Sequence, residues 1–176
     1  VPAPERGAAG AARPAPAAER PAFARSAPPA EPPPALRRDL LGESPPADLA
    51  AFREWWMAAP ELETARCFPR IAPRGATGAA LMVLVPQPEE ADRDTLLEGA
   101  QGRLLANILA AMGLGEDAVY LAAALPCHTP MADLAGLAAS GMDAVTAHHI
   151  GLVRPQRLLV LGTGLAPMLA ANDANG

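Results

Sequence analysis

The fold is decided by four stretches of sequence: ALMVLVPQPEEAD (80–92), EGAQGRLLANILAAMGL (98–114), DAVYLAAALPC (117–127) and HHIGLVRPQRLLVLG (148–162). The continuous apolar run at 80–85 is typical of a strand buried on both faces of a parallel sheet. Runs of the same kind at 118–125 and 157–162 predict a second and a third strand. Because a helical pattern separates each strand from the next, we expect an α/β fold with a parallel sheet and right-handed crossovers.

The helices are predicted from apolar spacing and from residues that begin or end helices. Asp48 is the expected N-cap of the first helix, and the apolar positions after Gly102 mark one face of the second. We expect residues 131–153 to be helical, with a break near residues 140–141. The stretch LAPMLAAN (165–172) is expected to start a last helix. The helices therefore alternate with the strands through the second half of the chain.

The composition separates a tail from a folded domain. Residues 1–46 are rich in Pro and Ala, bury little and are expected to be disordered. The segment is read as a solvated linker or, alternatively, as a tail that binds a replication or repair protein through its prolines. Residues 47–176 form the expected domain, which is long enough for one core.

The charge and cysteine content limit the class of protein. The net charge is −5, the pI is near 5.2, and all 14 basic residues are Arg, so any contact with nucleic acid must depend on a local patch. Abundant Ala, Gly, Pro and Arg suggest a GC-rich, bacterial genome. Two cysteines without a paired spacing fit a reducing cytoplasm. No apolar stretch is long enough for a transmembrane helix, so no membrane partner is expected.

In order and spacing, residues 80–162 resemble the uracil-DNA glycosylase superfamily, most closely its iron–sulfur-type branch. The best local match is Gly-x-x-Gly-Arg-Leu-Leu at 99–105, followed by Met-Gly-Leu at 112–114. The resemblance implies a three-layer α/β/α sandwich with a mostly parallel, four-stranded sheet. The family's His-Pro-Ser motif follows the third strand and is not reached, so the last strand is expected to be missing or truncated here.

The family's first functional loop reads Gly-Glu-Ala-Pro-Gly, then two residues, then Glu-Asp. Laid on this chain without gaps, the motif matches at Pro86 and Glu90, and the family's functional acid falls on Leu84. Leucine cannot orient a water molecule, so Glu90 is the nearby candidate acid. By resemblance, Val85, Pro86 and Gln87 line the base pocket.

Two further positions of the family's base pocket are also replaced. The stacking Phe falls on Leu97, and the Asn that reads the base falls on Ala123, which cannot hydrogen-bond a uracil edge. Cys127 fits one cluster cysteine, but the helix after it has no second cysteine and Cys67 stands alone. A four-iron cluster needs four thiolates, so we predict no iron–sulfur cluster and no other cofactor.

The remaining candidates are weaker. Arg66, Arg70 and Arg74 form the densest basic patch outside the tail and, with Arg103, could contact phosphates or simply be solvated. Cys127 and three histidines lack a common zinc-ligand spacing. Glu89 and Glu90 could act as paired acids, although a solvated loop is the alternative.

Three functions remain open, because a fold does not determine a function. The first is a degenerate glycosylase-like domain with a binding role in DNA repair or replication. The second is an active, divergent uracil-DNA glycosylase that flips the base out of the DNA. The third is a structural or adaptor domain of a larger protein.

Overall fold

The computed structural model describes residues 36–62 and 68–173, with side chains up to residue 170. Most of the predicted tail, residues 1–35, lies outside the described residues, as do Arg66 and Cys67. The described residues belong to one compact unit. In this part of the chain, no helix has the length and apolar character needed to cross a membrane.

The core of the fold is an open, all-parallel sheet of three strands: β1 (Leu81–Val85), β2 (Val119–Ala123) and β3 (Leu158–Val160). The strand order is β2–β1–β3, with Val83 opposite Leu121 on one side and Leu159 on the other. The predicted α/β class and the three strands are confirmed. The described residues contain no fourth strand, and that strand stays a prediction.

The helices begin and end at residues that satisfy backbone groups or tolerate unusual backbone angles. They are α1 (Leu49–Ala58), α2 (Ala100–Ala111), α3 (Leu134–Leu137), α4 (Asp143–Val153) and α5 (Ala166–Asp173). Asp48 is the N-cap of α1, as the sequence indicates, and its Oδ1 accepts from Ala51 N–H at 2.9 Å.

A π-helical turn (Ala138–Met142) joins α3 to α4 near the predicted break. Gly141 has a φ of +123°, and a Cβ there would lie 2.3 Å from the Arg38 carbonyl oxygen. Glycine is required at this position both by the backbone angle and by the close approach of residues 36–46.

Residues 36–46, the end of the predicted tail, pack against α4 and the turn before it. Arg37 forms an ion pair with Asp143 at 3.0 Å, and His148 Nε2 donates to the Pro46 carbonyl oxygen at 2.8 Å. Leu40 is buried in the core. Residues 36–46 are thus part of the folded domain. The composition of the tail did not predict this, because the packing depends on single apolar residues such as Leu40.

The two faces of the sheet carry separate apolar cores, because successive strand residues point to opposite faces. Met82, Leu84 and Tyr120 face the core that includes residues of α1, α4 and α5. Val83 and Val85 face the core formed with α2. Helices therefore cover both faces among the residues that the structure describes: α1, α3, α4 and α5 lie on one face and α2 on the other.

Candidate functional site

The candidate site is a cavity of about 760 Å³ where β1 and β3 end. We call it the edge cavity: residues 85–89, Leu97, four residues of α2, His128 and three residues in or after β3 line it. Parallel α/β sheets bind ligands at the carboxyl ends of their strands, and cavities of this size accept small organic molecules. The position and volume together make this cavity the candidate binding site.

The structure brings together four of the predicted base-pocket positions. Val85, Pro86, Gln87 and Leu97 line the edge cavity, although they come from two separate segments. Ala123 does not line it, since its side chain is buried in the core beside α2. The predicted base-reading position is therefore not part of the lining of this cavity.

The two predicted acid positions do not reach the edge cavity. Leu84 is fully buried on the opposite face of the sheet, and Glu90 is exposed outside the cavity lining. The acid that lines the cavity is Glu89. Partial burial and, secondarily, the negative charge of Asp92 raise the pKa of Glu89 above its ordinary value of 4.5.

Asp92 organises the loop that forms one wall of the cavity, a role that the sequence analysis missed. Its carboxylate is almost fully buried and accepts from the backbone N–H groups of Glu89, Leu97 and Glu98, each at 2.9 Å. Two of these bonds hold the turn in which Leu97 has a φ of +61°. A leucine in this left-handed region is uncommon and persists only where its surroundings fix it.

Gln87 and His128 connect the loop after β1 to the loop after β2. Gln87 Oε1 accepts from Thr129 N–H at 3.0 Å, and His128 Nδ1 lies 3.1 Å from the Pro88 carbonyl oxygen. Because a carbonyl oxygen can only accept, Nδ1 carries the hydrogen in this bond. The other ring nitrogen, Nε2, is then an acceptor in the neutral ring.

The predicted basic residues lie away from the edge cavity. The Arg70 guanidinium donates to the carbonyl oxygens of Trp56, Ala59 and Leu62 at 2.7–2.8 Å, and so satisfies acceptors at the end of α1. Arg74 lines a second cavity, of about 440 Å³, on the other side of α2. Arg103 is exposed on α2. No arginine lines the edge cavity among the residues that the structure describes.

The described residues offer no metal site. Within these ranges, no group of three or more His, Cys, Asp and Glu side chains could hold a metal ion. Cys127 is buried, and its Sγ lies 3.9 Å from Thr129 Oγ1. Because Cys67 is outside the described ranges, the predicted absence of an iron–sulfur cluster stays a prediction.

Asp92 and His128 are residues that sequence reasoning did not assign to the site, and Glu89 was considered only as one of two possible paired acids. The run of two glutamates signals acids after β1 but does not show which of them turns inward. The comparisons with known proteins add no relative: no family model matches the chain, and no curated protein matches it significantly. A functional interpretation therefore depends on the resemblance of residues 80–162 and on the edge cavity.

Proposed function

We propose that this chain carries a uracil-DNA glycosylase-like domain that has lost catalysis and binds nucleic acid in DNA repair or replication. One observation carries the proposal: Val85, Pro86, Gln87 and Leu97, the positions that the resemblance assigns to a base pocket, line a single cavity at the strand ends. The cavity has room for a nucleobase, and its apolar side chains offer surfaces on which a flat ring can stack.

Loss of catalysis follows from the positions of the replaced residues. Leu84 stands where the family has its functional acid and is buried on the far face of the sheet. Ala123 stands where the family reads uracil and is buried under α2. A site without an oriented acid and without a base-reading amide lacks the groups that glycosidic bond cleavage requires.

The proposal includes a fourth parallel strand at the open edge of β3. Helix α5 packs on α4, so both lie on the same face of the sheet. Successive right-handed crossovers whose helices lie on the same face of a sheet place each new strand further in the same direction across the sheet. The crossover from β2 through α4 to β3 already runs toward the open edge of β3. A strand that follows α5 would therefore pair with β3.

We also propose a cytoplasmic location and, through the proline-rich residues 1–46, contact with a replication or repair protein. The low number of cysteines, without a paired spacing, supports the cytoplasmic location. The many prolines support the protein contact, since proline-rich segments dock in aromatic grooves. The negative net charge favours a small, local nucleic-acid contact over general coating of duplex DNA.

Glu89 favours a second candidate function, an active and divergent glycosylase. It lines the edge cavity, and its raised pKa is a property that catalytic acids and bases share. In such an enzyme Glu89, in place of Leu84, would activate water against an extruded base.

The test is a single-turnover excision assay and an anisotropy binding assay on the same uracil-containing single- and double-stranded oligonucleotides. Two variants form a matched pair: Leu104→Asp at the cavity and Met57→Asp on α1, each replacing an exposed apolar residue. We expect no excision, binding that Leu104→Asp weakens about 10-fold or more, and no effect of Met57→Asp. Excision would establish the second candidate, and neither excision nor binding would contradict a role on DNA.

A further inference from the structure

The acid of the edge cavity presents unused hydrogen-bond acceptors. Glu89 lines the cavity, and within the described ranges its carboxylate accepts no hydrogen bond. One of its oxygens lies above the start of α2, 2.9 Å from where a Cβ would stand on Gly99. An ionised carboxylate has two oxygens that accept and no group that donates. The Glu89 carboxylate therefore has acceptor capacity that no described residue uses and that a ligand in this cavity can take up.

The two polar side chains that join the loops, His128 and Gln87, each already use one hydrogen-bonding group within the protein. His128 uses Nδ1–H to donate to the Pro88 carbonyl oxygen, which leaves Nε2 as an acceptor when the ring is neutral. Gln87 uses Oε1 to accept from Thr129 N–H, which leaves its amide N–H groups as donors. Gln101 of α2 also lines the cavity, and its amide can both donate and accept. The Glu89 carboxylate is therefore the charged lining group that only accepts.

The rest of the lining favours a flat and uncharged group. Pro86, Pro88, Leu104 and Leu161 give apolar surface, and no Arg or Lys lines the cavity within the described residues. A phosphate would meet the Glu89 carboxylate without a compensating cation. The part of a nucleic acid that enters is therefore the base, and the backbone stays outside.

We propose that the edge cavity selects a guanine-type edge, in which a ring N–H stands beside an amino group, over the uracil edge. This inference rests on the proposed function, the binding of nucleic acid at this cavity. The guanine N1–H and N2–H groups can donate to the two oxygens of the Glu89 carboxylate at once. Uracil presents a single N–H between two carbonyl oxygens, which the carboxylate repels.

The replacement at Ala123 agrees with this preference. In the resembled family that position carries the amide that reads uracil, and here it holds a buried methyl group. The uracil-reading amide is absent at Ala123, while Glu89 supplies a carboxylate from the loop after β1. Glu89 is accordingly the residue that determines specificity.

The test compares short single-stranded oligothymidylates that carry one central guanine, hypoxanthine or uracil, by competition anisotropy with the full chain. Hypoxanthine keeps the ring N–H of guanine but lacks the amino group, so it isolates one hydrogen bond without any change in the protein. We expect guanine to compete about 10-fold better than either other base. Glu89→Gln should reduce this ratio to about one, because an amide offers only one acceptor.

Glu90→Gln is the matched control, since it removes the same charge from the adjacent residue, which is exposed and does not line the cavity. It should keep the preference for guanine. Equal competition by guanine and uracil, or a preference that survives Glu89→Gln, would overturn the inference and leave the proposed function standing. If none of the three oligonucleotides binds, the proposed function falls, and this inference falls with it.

Discussion

One face of the sheet carries α1, α3, α4 and α5, and stacked aromatic rings close its core; we call it the sealed face. The other face carries α2 alone within the described residues. On the sealed face, Phe52 stacks on His149 with ring centroids 4.1 Å apart, and His149 Nε2 lies 2.9 Å from the Tyr120 hydroxyl. On the α2 face, one helix leaves a cavity on each side of itself. Room for a ligand thus exists where a single helix covers three strands.

The difference explains where buried polar groups are tolerated. Burial favours the neutral form of His149 in the sealed core, and its Nε2 forms a hydrogen bond with the Tyr120 hydroxyl. Glu89 keeps contact with solvent at the edge cavity and has no such partner within the described residues. The first is an arrangement for stability, and the second leaves a group available to a ligand.

The largest expected effect is a difference in stability between two leucine truncations, one on each face. Leu84→Ala removes a fully buried side chain from the sealed face and should lower the free energy of unfolding by about 2–5 kcal/mol. Leu104 is 61% exposed, so Leu104→Ala should change it by less than about 0.5 kcal/mol. Urea denaturation measures both, and equal losses would contradict the described packing.

The second-largest expected effect is a loss of folding stability at acidic pH, caused by protonation of a buried histidine on the sealed face. Burial, aided by the charges of Arg53 and His148, lowers the pKa of His149 from 6.5 to about 3. Between these values the unfolded chain binds a proton that the folded chain does not, so stability rises with pH across this window and is lost as pH falls.

Replacement of His149 tests this dependence directly. His149→Gln keeps an acceptor for the Tyr120 hydroxyl and should flatten the dependence by about 1.4 kcal/mol per pH unit. Denaturation at several pH values from 3 to 7 gives the slope, and Leu104→Ala serves as a control with unchanged titrating groups. A slope in His149→Gln equal to that of the wild type would show that His149 titrates normally in the fold.

The smallest effect has the opposite sign and belongs to the α2 face. Because its folded-state pKa is raised, Glu89 contributes stability at low pH that is lost as pH rises through that pKa. The effect is small, since Glu89 is partly exposed and solvent screens it. Between about pH 4 and 6, where His149 makes the thermal midpoint rise with pH, the rise should be slightly steeper in Glu89→Gln than in the wild type. Identical curves would mean that the carboxyl group is fully solvated.

The sequence predicted the strands and helix ends well because their signals are local. The run at 81–85 is apolar on both faces, Asp48 supplies a cap, and Gly141 marks the break before α4. Each of these features depends on the chemistry of a few neighbouring residues. The boundary of the tail was harder, because Leu40 is buried by residues distant in sequence.

The site could be predicted only in part, since it depends on which way each side chain turns. A gapless match placed the acid at Leu84, but Leu84 still belongs to β1, where alternation sends it to the sealed face. Whether Glu89 or Glu90 faces the cavity is decided by Asp92, whose three backbone contacts shape the loop. Arg70 was predicted as a phosphate contact, but its guanidinium is bonded to carbonyl oxygens in the last turn of α1 and just after it, which the sequence does not reveal.

The most direct test of the account is an NMR titration of the isotopically labelled full chain with single-stranded DNA. The account predicts that amide shifts change at Val85, Gln87 and Glu89 and along the first turns of α2, and that α1 and α4 on the sealed face do not respond. Changes confined to α1 and α4, or to the proline-rich residues 1–46, would contradict the claim that the edge cavity is the binding site.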